Sequence, residues 1–368
     1  MVSVLEHTSL AQVDRTMWNS LIPQGYCSAR WEYIHAAEQQ CGKAFSSFRY
    51  YLFKEQETIT GAAIAYCITV PVANMVPRSL RRAVECFGRM QQFKITMCGT
   101  ITSDGLPGIF LSRQGSRTEI LDLLNSRLRA FASETRSMGI VYKEFSQTDS
   151  AVMDYLEAKG YVRTASLPSY SISVRWEDMD AYCAALNKKY RQALTKTRKK
   201  MDTPALTCVL ISEPAQVPHE LYGLYRYVHD KAQYQIETVE PGFFTEILRQ
   251  QEGKAVLLVF MLSGKPVGFI VLIEDESFLQ GVFDAAGAKM RFCRVVVAVV
   301  LVADPMLGHE LRRQQTRLET LAHEATGPIL RTRASLHDDQ PAGRLRAAEK
   351  LVELGAHVQL IARPVHVG

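Results

Sequence analysis

The spacing of apolar residues predicts alternating helices and strands along most of the chain. Apolar positions three and four residues apart predict helices over 14–21, 29–40, 121–137 and 150–159. Runs rich in β-branched and aromatic residues predict strands over 47–53, 59–72, 140–145 and 161–174. After residue 215 the same criteria predict helices over 217–233 and 242–251, then strands over 254–262, 267–274 and 278–283. The pattern indicates a mixed α/β protein.

The two halves of the chain end in the same order of elements. In the second half the apolar run 295–303 predicts a buried strand, followed by a helix over 310–325, a strand over 329–336, a helix over 342–354 and a strand over 357–364. Each half therefore closes with helix, strand, helix, glycine and strand, the glycines being Gly160 and Gly355. A repeat on this scale predicts two copies of one domain.

Composition supports a globular protein with two cores. The chain has 368 residues, of which 47% are hydrophobic, and one core rarely serves more than about 250–300 residues. Its eight cysteines are scattered, with no C-x-x-C pair, which predicts free thiols and no metal site. The first residues do not resemble a signal peptide, and the run 295–303 is too short to cross a bilayer. We therefore expect a cytoplasmic protein with no membrane span.

The closing segments carry a family resemblance. "VMDYLEAKGYVRTASLPSYSISV" and "RAAEKLVELGAHVQLIARPVHV" resemble the end of the GCN5-related acetyltransferase (GNAT) fold. Two copies in one chain are similar to the Fem-type peptidoglycan-bridge aminoacyltransferases and the related tandem acetyltransferases. The resemblance implies two tandem domains, each with a mixed, mostly antiparallel sheet flanked by helices. Their expected bounds are 1–175 and 206–368, joined by a basic helix within 176–205.

The resemblance implies transfer of an acyl group from an acyl-CoA donor, such as acetyl-CoA, to an amine on a small molecule or peptide. It implies no tightly bound cofactor and one working cleft, mainly in the C-terminal copy. The stretch Asp304–Arg313 departs from the Q/R-x-x-G-x-G/A loop that holds the coenzyme pyrophosphate in ordinary members. Two alternatives therefore stay open. One is an aminoacyl-tRNA donor, as in the Fem-type enzymes, and the other is a subunit without catalytic activity.

A basic stretch lies where the two copies join. Residues 186–201, "LNKKYRQALTKTRKKM", contain seven Lys or Arg and no acid. On a helix, Lys188, Arg191, Thr195 and Arg198 share one face. Such a face suits the phosphates of coenzyme A, of a nucleotide-linked cell-wall precursor or of the acceptor arm of a tRNA. A solvated helix paired with carboxylates of the other domain is the plainer interpretation. Few aromatic residues interrupt the stretch, which argues against sequence-specific nucleic-acid binding.

Candidate catalytic groups follow from the needs of acyl transfer, in which an acceptor amine must lose a proton. We expect Asp284, at the end of a strand, and His309 with Glu310, at the start of a helix, to serve as proton acceptors. Glu310 is also favoured by the helix dipole whatever the function, and His309 is equally suited to a solvent-exposed turn. Arg312 and Arg313 on the same helix join Lys188, Arg191 and Arg198 as candidate ligands of donor phosphates.

Overall fold

The computed structural model describes residues 2–71, 92–102, 107–112, 115–145, 149–169, 176, 178–201, 205–232, 237–275, 278–286 and 355–362. The chain forms two compact units. The first comprises Met1–Ser169, Asp202–Arg291 and Gly355–Gly368, and the second comprises Tyr170–Met201 and Phe292–Leu354.

The described helices of the first unit are α1 (Arg15–Leu21), α2 (Trp31–Gln39), α3 (Arg117–Thr135), α4 (Ser150–Ala158), α7 (Glu220–His229) and α8 (Phe243–Gln250). Those of the second unit are α5 (Met179–Ala185) and α6 (Lys188–Met201). Short 3-10 turns occur at Leu10–Gln12, Cys27–Ala29 and Pro214–Gln216.

The first sheet is formed by β1 (Val2–His7), β2 (Phe45–Glu55), β3 (Thr58–Pro71), β4 (Gln92–Cys98), β5 (Ile109–Leu111), β6 (Gly139–Phe145), β7 (Tyr161–Ser169) and β12 (Gly355–Ala362). Its order is β1-β2-β3-β4-β6-β12-β7, with β5 also paired to β3. The pair β4 and β6 is parallel and every other pair is antiparallel. The predicted class, a mixed and mostly antiparallel sheet flanked by helices, is confirmed.

The last described strand belongs to this first sheet. β12 lies between β6 and β7, where Val358 is paired with Phe145 on one side and with Ala165 on the other. The sequence predicts a strand here but counts it in the C-terminal copy. The division into 1–175, 176–205 and 206–368 stays a proposal, and this strand is the part of 206–368 that completes the N-terminal sheet.

The second sheet consists of four antiparallel strands in the order β11-β10-β9-β8. They are β8 (Leu206–Ile211), β9 (Ala255–Leu262), β10 (Lys265–Asp275) and β11 (Phe278–Ala286). The tight turn between β9 and β10 places Ser263 and Gly264 at φ values of 50° and 77°. Positive φ at both central residues is the backbone that two-residue hairpins need, which confirms the turn predicted there.

Both faces of the first sheet are covered. One face of β3 presents Ala62, Ile64 and Tyr66 to a core that also includes residues of α1, α2 and α8 and continues to the inner side chains of the second sheet. The other face presents Ala63, Ala65 and Cys67 to α3 and α4. Because β3 is buried on both sides, its sequence is an unbroken apolar run instead of an alternation.

Loop 25–30 is fastened to the end of β10 by a buried carboxylate. Asp275 Oδ2 accepts hydrogen bonds from the backbone N–H of Gly25 and from Arg30 Nη2, each at 2.9 Å. Burial alone would raise the pKa of Asp275, but these two partners outweigh it and lower the pKa below the usual aspartate value. The contact ties the N-terminal loops to the second sheet.

Element ends follow local signals. The side chain of Asp14 caps α1 by accepting the N–H of Met17 at 2.7 Å. After α4, Gly160 adopts φ of 91°, a conformation that other residues rarely adopt, and so ends the helix as predicted. The sequence pattern did not predict β1, β4, β5 and β8. The elements predicted over 295–354 lie outside the described residues.

Candidate functional site

The basic stretch 186–201 contains α6, which follows α5 in the second unit. The sequence predicts one helix within 176–205, whereas the structure has two, α5 and α6, separated by Leu186 and Asn187. The Asn187 side chain caps α6 by accepting the N–H of Tyr190 at 3.1 Å. Leu194 is the buried residue of α6 and packs against Tyr182, Cys183 and Leu186. One apolar contact therefore fixes α6 on α5, and the other described side chains of α6 are exposed.

The described basic side chains of α6 face solvent. Exposed residues are Lys188, Lys189, Arg191, Lys196 and Lys199. Among the ion pairs of the described residues, none joins any of these five groups to a carboxylate. Arg191, Gln192, Thr195, Lys196 and Lys199 line a hollow of about 500 Å³. Within the described residues, the acidic partners required by the plainer interpretation of this helix are not found.

Arg191 is exposed, but its side chain also forms hydrogen bonds to the end of α5. Its Nη2 donates to the carbonyl oxygens of Leu186 at 2.8 Å and Ala184 at 3.2 Å, at the C-terminal end of α5. Cations are favoured at helix C-termini because the last carbonyls lack helical partners. Replacing Arg191 would therefore disturb the junction of α5 and α6 as well as any ligand contact, so Lys196 and Lys199 are the better probes of this surface.

Other predicted site residues are described only in part. Asp284 lies on β11 opposite Ile270 of β10, and its side chain lies outside what the structure describes. The same holds for the side chain of Arg198 on α6. His309, Glu310, Arg312 and Arg313 lie outside the described residues altogether. Their roles stay predictions.

A second polar centre, which sequence reasoning missed, lies in the first unit. Glu237 places its carboxylate among three hydrogen-bond donors, two in the first sheet and one in the loop that follows β4. Oε1 accepts Lys143 Nζ at 2.6 Å and the hydroxyl of Tyr66, and Oε2 accepts the backbone N–H of Thr102 at 2.9 Å. Lys143 Nζ also donates to the Tyr66 hydroxyl at 2.8 Å. We call Glu237 and these three donors the carboxylate cluster.

The carboxylate cluster is almost fully enclosed. The exposed fraction of the side chain is 4% for Lys143 and 15% for Glu237, and Tyr66 is fully buried. Burial, reinforced by the neighbouring charge of Glu237, raises the pKa of Tyr66 well above the usual phenol value. Tyr66 therefore stays protonated and acts as a donor to the carboxylate.

The cluster lies where the parallel strands stop pairing. β4 and β6 are in register from Ile95 opposite Gly139 to Cys98 opposite Tyr142. Beyond this point Gly99 donates its N–H to Ile64, and the Lys143 side chain lies across Gly99. A Cβ on Gly99 would lie 2.1 Å from Lys143 Cγ, so only glycine leaves room for the lysine.

Glu237 reaches the first sheet because its segment is held at the end of α2. Val239 forms a β-bridge with Cys41, Gly42 donates its N–H to the carbonyl of Thr238 at 2.8 Å, and Glu240 donates to Gln40 at 2.8 Å. The bridge segment 237–240 therefore brings an acid from the second half of the chain to a lysine of the first half. A lysine inside the apolar strand "IVYKEF" was the available signal, since a buried lysine is normally paired.

Two kinds of feature are absent from the described residues. No group of three His, Cys, Asp or Glu side chains within the described ranges is arranged to hold a metal ion. No helix in the part of the chain that the structure describes combines the length and apolar character that a bilayer span requires.

Comparisons with known proteins give distant matches. No family model matches the chain. It is 21% identical over 197 residues to a protein of two Mycobacterium tuberculosis strains named as an 8-amino-7-oxononanoate synthase 2. This match covers 52% of the chain but only 25% of that protein, so the chain spans about a quarter of the length of the curated relatives it matches.

Among solved structures, the chain is similar to a tandem GNAT protein from the clavulanic acid biosynthesis pathway, with 10% identity and a TM-score of 0.48 over 98% of both chains. It is also similar to FemX, with 11% identity and a TM-score of 0.46 over 85% of this chain and 86% of FemX. At such identities a likeness concerns the fold alone.

Proposed function

We propose that the chain is an acyltransferase of the tandem GNAT type, which moves an acyl group from acyl-CoA to an amine. The observation that carries the proposal is the exposed basic surface of α6, where Lys196 and Lys199 line a hollow and have no described acidic partner. Like charges at neighbouring helical positions are unfavourable by a few tenths of a kcal/mol per pair. An anionic ligand on this surface, such as the phosphates of coenzyme A, relieves that repulsion.

In the proposed reaction, the acceptor amine attacks the thioester carbonyl and forms the carbon–nitrogen bond, and the amine loses a proton to a base. The carbon–sulfur bond then breaks, and the base returns this proton to the departing thiolate, which leaves as the thiol of coenzyme A. Asp284, at the end of β11, is the proposed base on the second sheet, with His309 and Glu310 as further candidates. Arg198, Arg312 and Arg313 are proposed to complete the phosphate contacts. The acceptor is an amine on a small molecule or peptide.

An aminoacyl-tRNA donor is the second candidate, and the extent of α6 favours it. The helix has 14 residues, which corresponds to a length of about 21 Å, and its basic residues run from Lys188 to Lys200. A polyanion would use more of this surface than one pyrophosphate. The two donors differ in salt dependence, because each phosphate contact adds to the slope of affinity against salt concentration.

Calorimetric titration with acetyl-CoA, and separately with charged tRNA, tests the proposal. We expect acetyl-CoA to bind, and Lys196→Ala with Lys199→Ala to weaken binding about tenfold, equivalent to about 1.4 kcal/mol. Lys43→Ala with Lys265→Ala removes the same charge from two exposed positions elsewhere and serves as the matched control. Binding of tRNA alone, lost at high salt, would replace acyl-CoA by the tRNA donor. Binding of neither would contradict both and favour a subunit without catalytic activity.

A further inference from the structure

The donors of the carboxylate cluster are arranged as in a receptor for a carboxylate. Lys143 supplies the charge, while Tyr66 and the N–H of Thr102 approach the two different oxygens of Glu237. All three donors belong to the first sheet or to the loop that follows β4. Charge-assisted hydrogen bonds from several fixed donors are the usual means of recognising a carboxylate in proteins.

These donors are positioned independently of Glu237. The stem of Lys143 is confined by Gly99, and Tyr66 is buried within β3. Thr102 is held from its other side, because its Oγ1 is 3.0 Å from the hydroxyl of the buried Tyr33. Without a carboxylate, a buried ammonium group would lose its counter-ion, which proteins normally avoid. The first sheet therefore contains a preformed place for an anion.

The carboxylate that fills this place belongs to a separate part of the chain. It is carried by the bridge segment 237–240, whose backbone bonds to residues 40–42 and, through the N–H of Val239, to the hydroxyl of Tyr225. None of these bonds involves the three donors. Glu237 is also the more exposed partner of the ion pair, because the exposed fraction of its side chain is 15%, against 4% for Lys143. The site lies where β4 and β6 stop pairing, because Lys143 follows the last residue of β6 that is paired with β4 and Thr102 lies in the loop after β4.

We propose that Lys143, Tyr66 and the N–H of Thr102 form a binding site for the carboxylate of an acidic small molecule, and that Glu237 occupies this site in the absence of that ligand. The ligand class is an organic acid whose carboxylate is attached to an aliphatic carbon, as it is in glutamate itself. The proposal concerns binding alone and stands independently of the acyltransferase proposal, so failure of either leaves the other unaffected.

Chemical rescue tests the receptor. Glu237→Ala removes a methylene and a carboxylate, and acetate is the molecule closest to the removed group. We expect Glu237→Ala to unfold at a lower temperature than the native protein. Sodium acetate should raise this temperature with the logarithm of its concentration, whereas sodium chloride at equal ionic strength and pH should not. The rescue should disappear in Glu237→Ala with Lys143→Met.

A matched control is Glu246→Ala, because Glu246 is another buried carboxylate whose partner, Arg249, is mostly exposed. Acetate should not rescue this variant. If acetate stabilises Glu237→Ala no more than chloride does, or stabilises Glu246→Ala equally, the proposed receptor is refuted.

A second experiment tests whether an added carboxylate displaces Glu237 in the native protein. It also decides between a binding site and a structural ion pair if Glu237→Ala does not fold. Acetate should accelerate hydrogen exchange of the Glu240 amide, which bonds to Gln40 when the bridge segment is in place. Chloride should leave this rate unchanged. Acceleration supports the proposal. Acetate rescue of Glu237→Ala without faster exchange in the native protein would show a structural ion pair that does not open to ligands, and it would overturn the binding role. The absence of both effects would overturn it as well.

Discussion

Removing the charge of Lys143 is expected to cost far more stability than removing an exposed charge. Lys143→Met keeps most of the stem that lies across Gly99 but leaves Glu237 without its ammonium partner. Glu237 would retain the Tyr66 hydroxyl and the N–H of Thr102, so its hydrogen bonds persist while its charge is uncompensated. The variant therefore isolates the charge of a buried pair.

The size of the effect follows from the burial of both partners. Charge centres about 4 Å apart interact by about 4 kcal/mol at an effective dielectric constant of about 20. Breaking a buried ion pair by removing one partner typically costs about 3–5 kcal/mol, because the other charge is left in a poor environment. Since Glu237 is 15% exposed, we expect the lower end, about 3 kcal/mol.

Urea unfolding followed by tryptophan fluorescence measures this cost, since Trp18 and Trp31 lie in the same unit as the carboxylate cluster. Adding Glu237→Gln to Lys143→Met should recover much of the loss, with a coupling energy of about 2 kcal/mol in the double-mutant cycle. Asp230→Asn, which breaks the exposed pair with Arg226, should cost about 0.3–0.5 kcal/mol. A Lys143→Met cost no larger than that of Asp230→Asn would refute the reasoning.

Two further predictions concern other contacts of the first unit. Gly99→Ala should lower the free energy of unfolding, because the new methyl group displaces the Lys143 side chain. In a Lys143→Ala background, Gly99→Ala should lower it less. Equal losses in the two backgrounds, measured by urea unfolding, would contradict the steric explanation. Asp275→Asn should flatten the dependence of stability on pH at acid pH. The lowered pKa of Asp275 stabilises the folded protein above the aspartate pKa of the unfolded chain, and this stabilisation is lost as pH falls through the lower pKa of the folded state. The thermal unfolding temperatures of native and variant proteins should therefore converge below about pH 4. Parallel curves would contradict this role.

Most helices and the β9–β10 hairpin could be predicted from the sequence because their signals are local. The stripe of Leu121, Leu124, Leu128 and Phe131 predicts α3, and all four side chains are buried. Ser263 and Gly264 likewise predict a turn by their own backbone preferences. β1 was missed because its burial is incomplete and its polar residues do not form a clear alternation.

The carboxylate cluster could not be assembled from local pattern. Lys143 and Tyr66 stand in different strands, and their acid comes from a segment after α7 with no periodic signal of its own. Only the fold brings these positions together, since the bridge segment depends on its pairing with residues 40–42. The sequence indicates that a lysine in an apolar strand requires a partner, but it does not indicate which residue that partner is.

The position of β12 has a consequence for the order in which the protein can be made. A ribosome releases the chain from its N-terminus, so β6 and β7 emerge well before β12, the strand that lies between them. Until β12 arrives, each of the two has an open edge able to pair with another nascent chain. Completion of the first sheet must therefore await synthesis of residues 355–362, and a product stalled before them would be left with a gap between β6 and the edge strand β7.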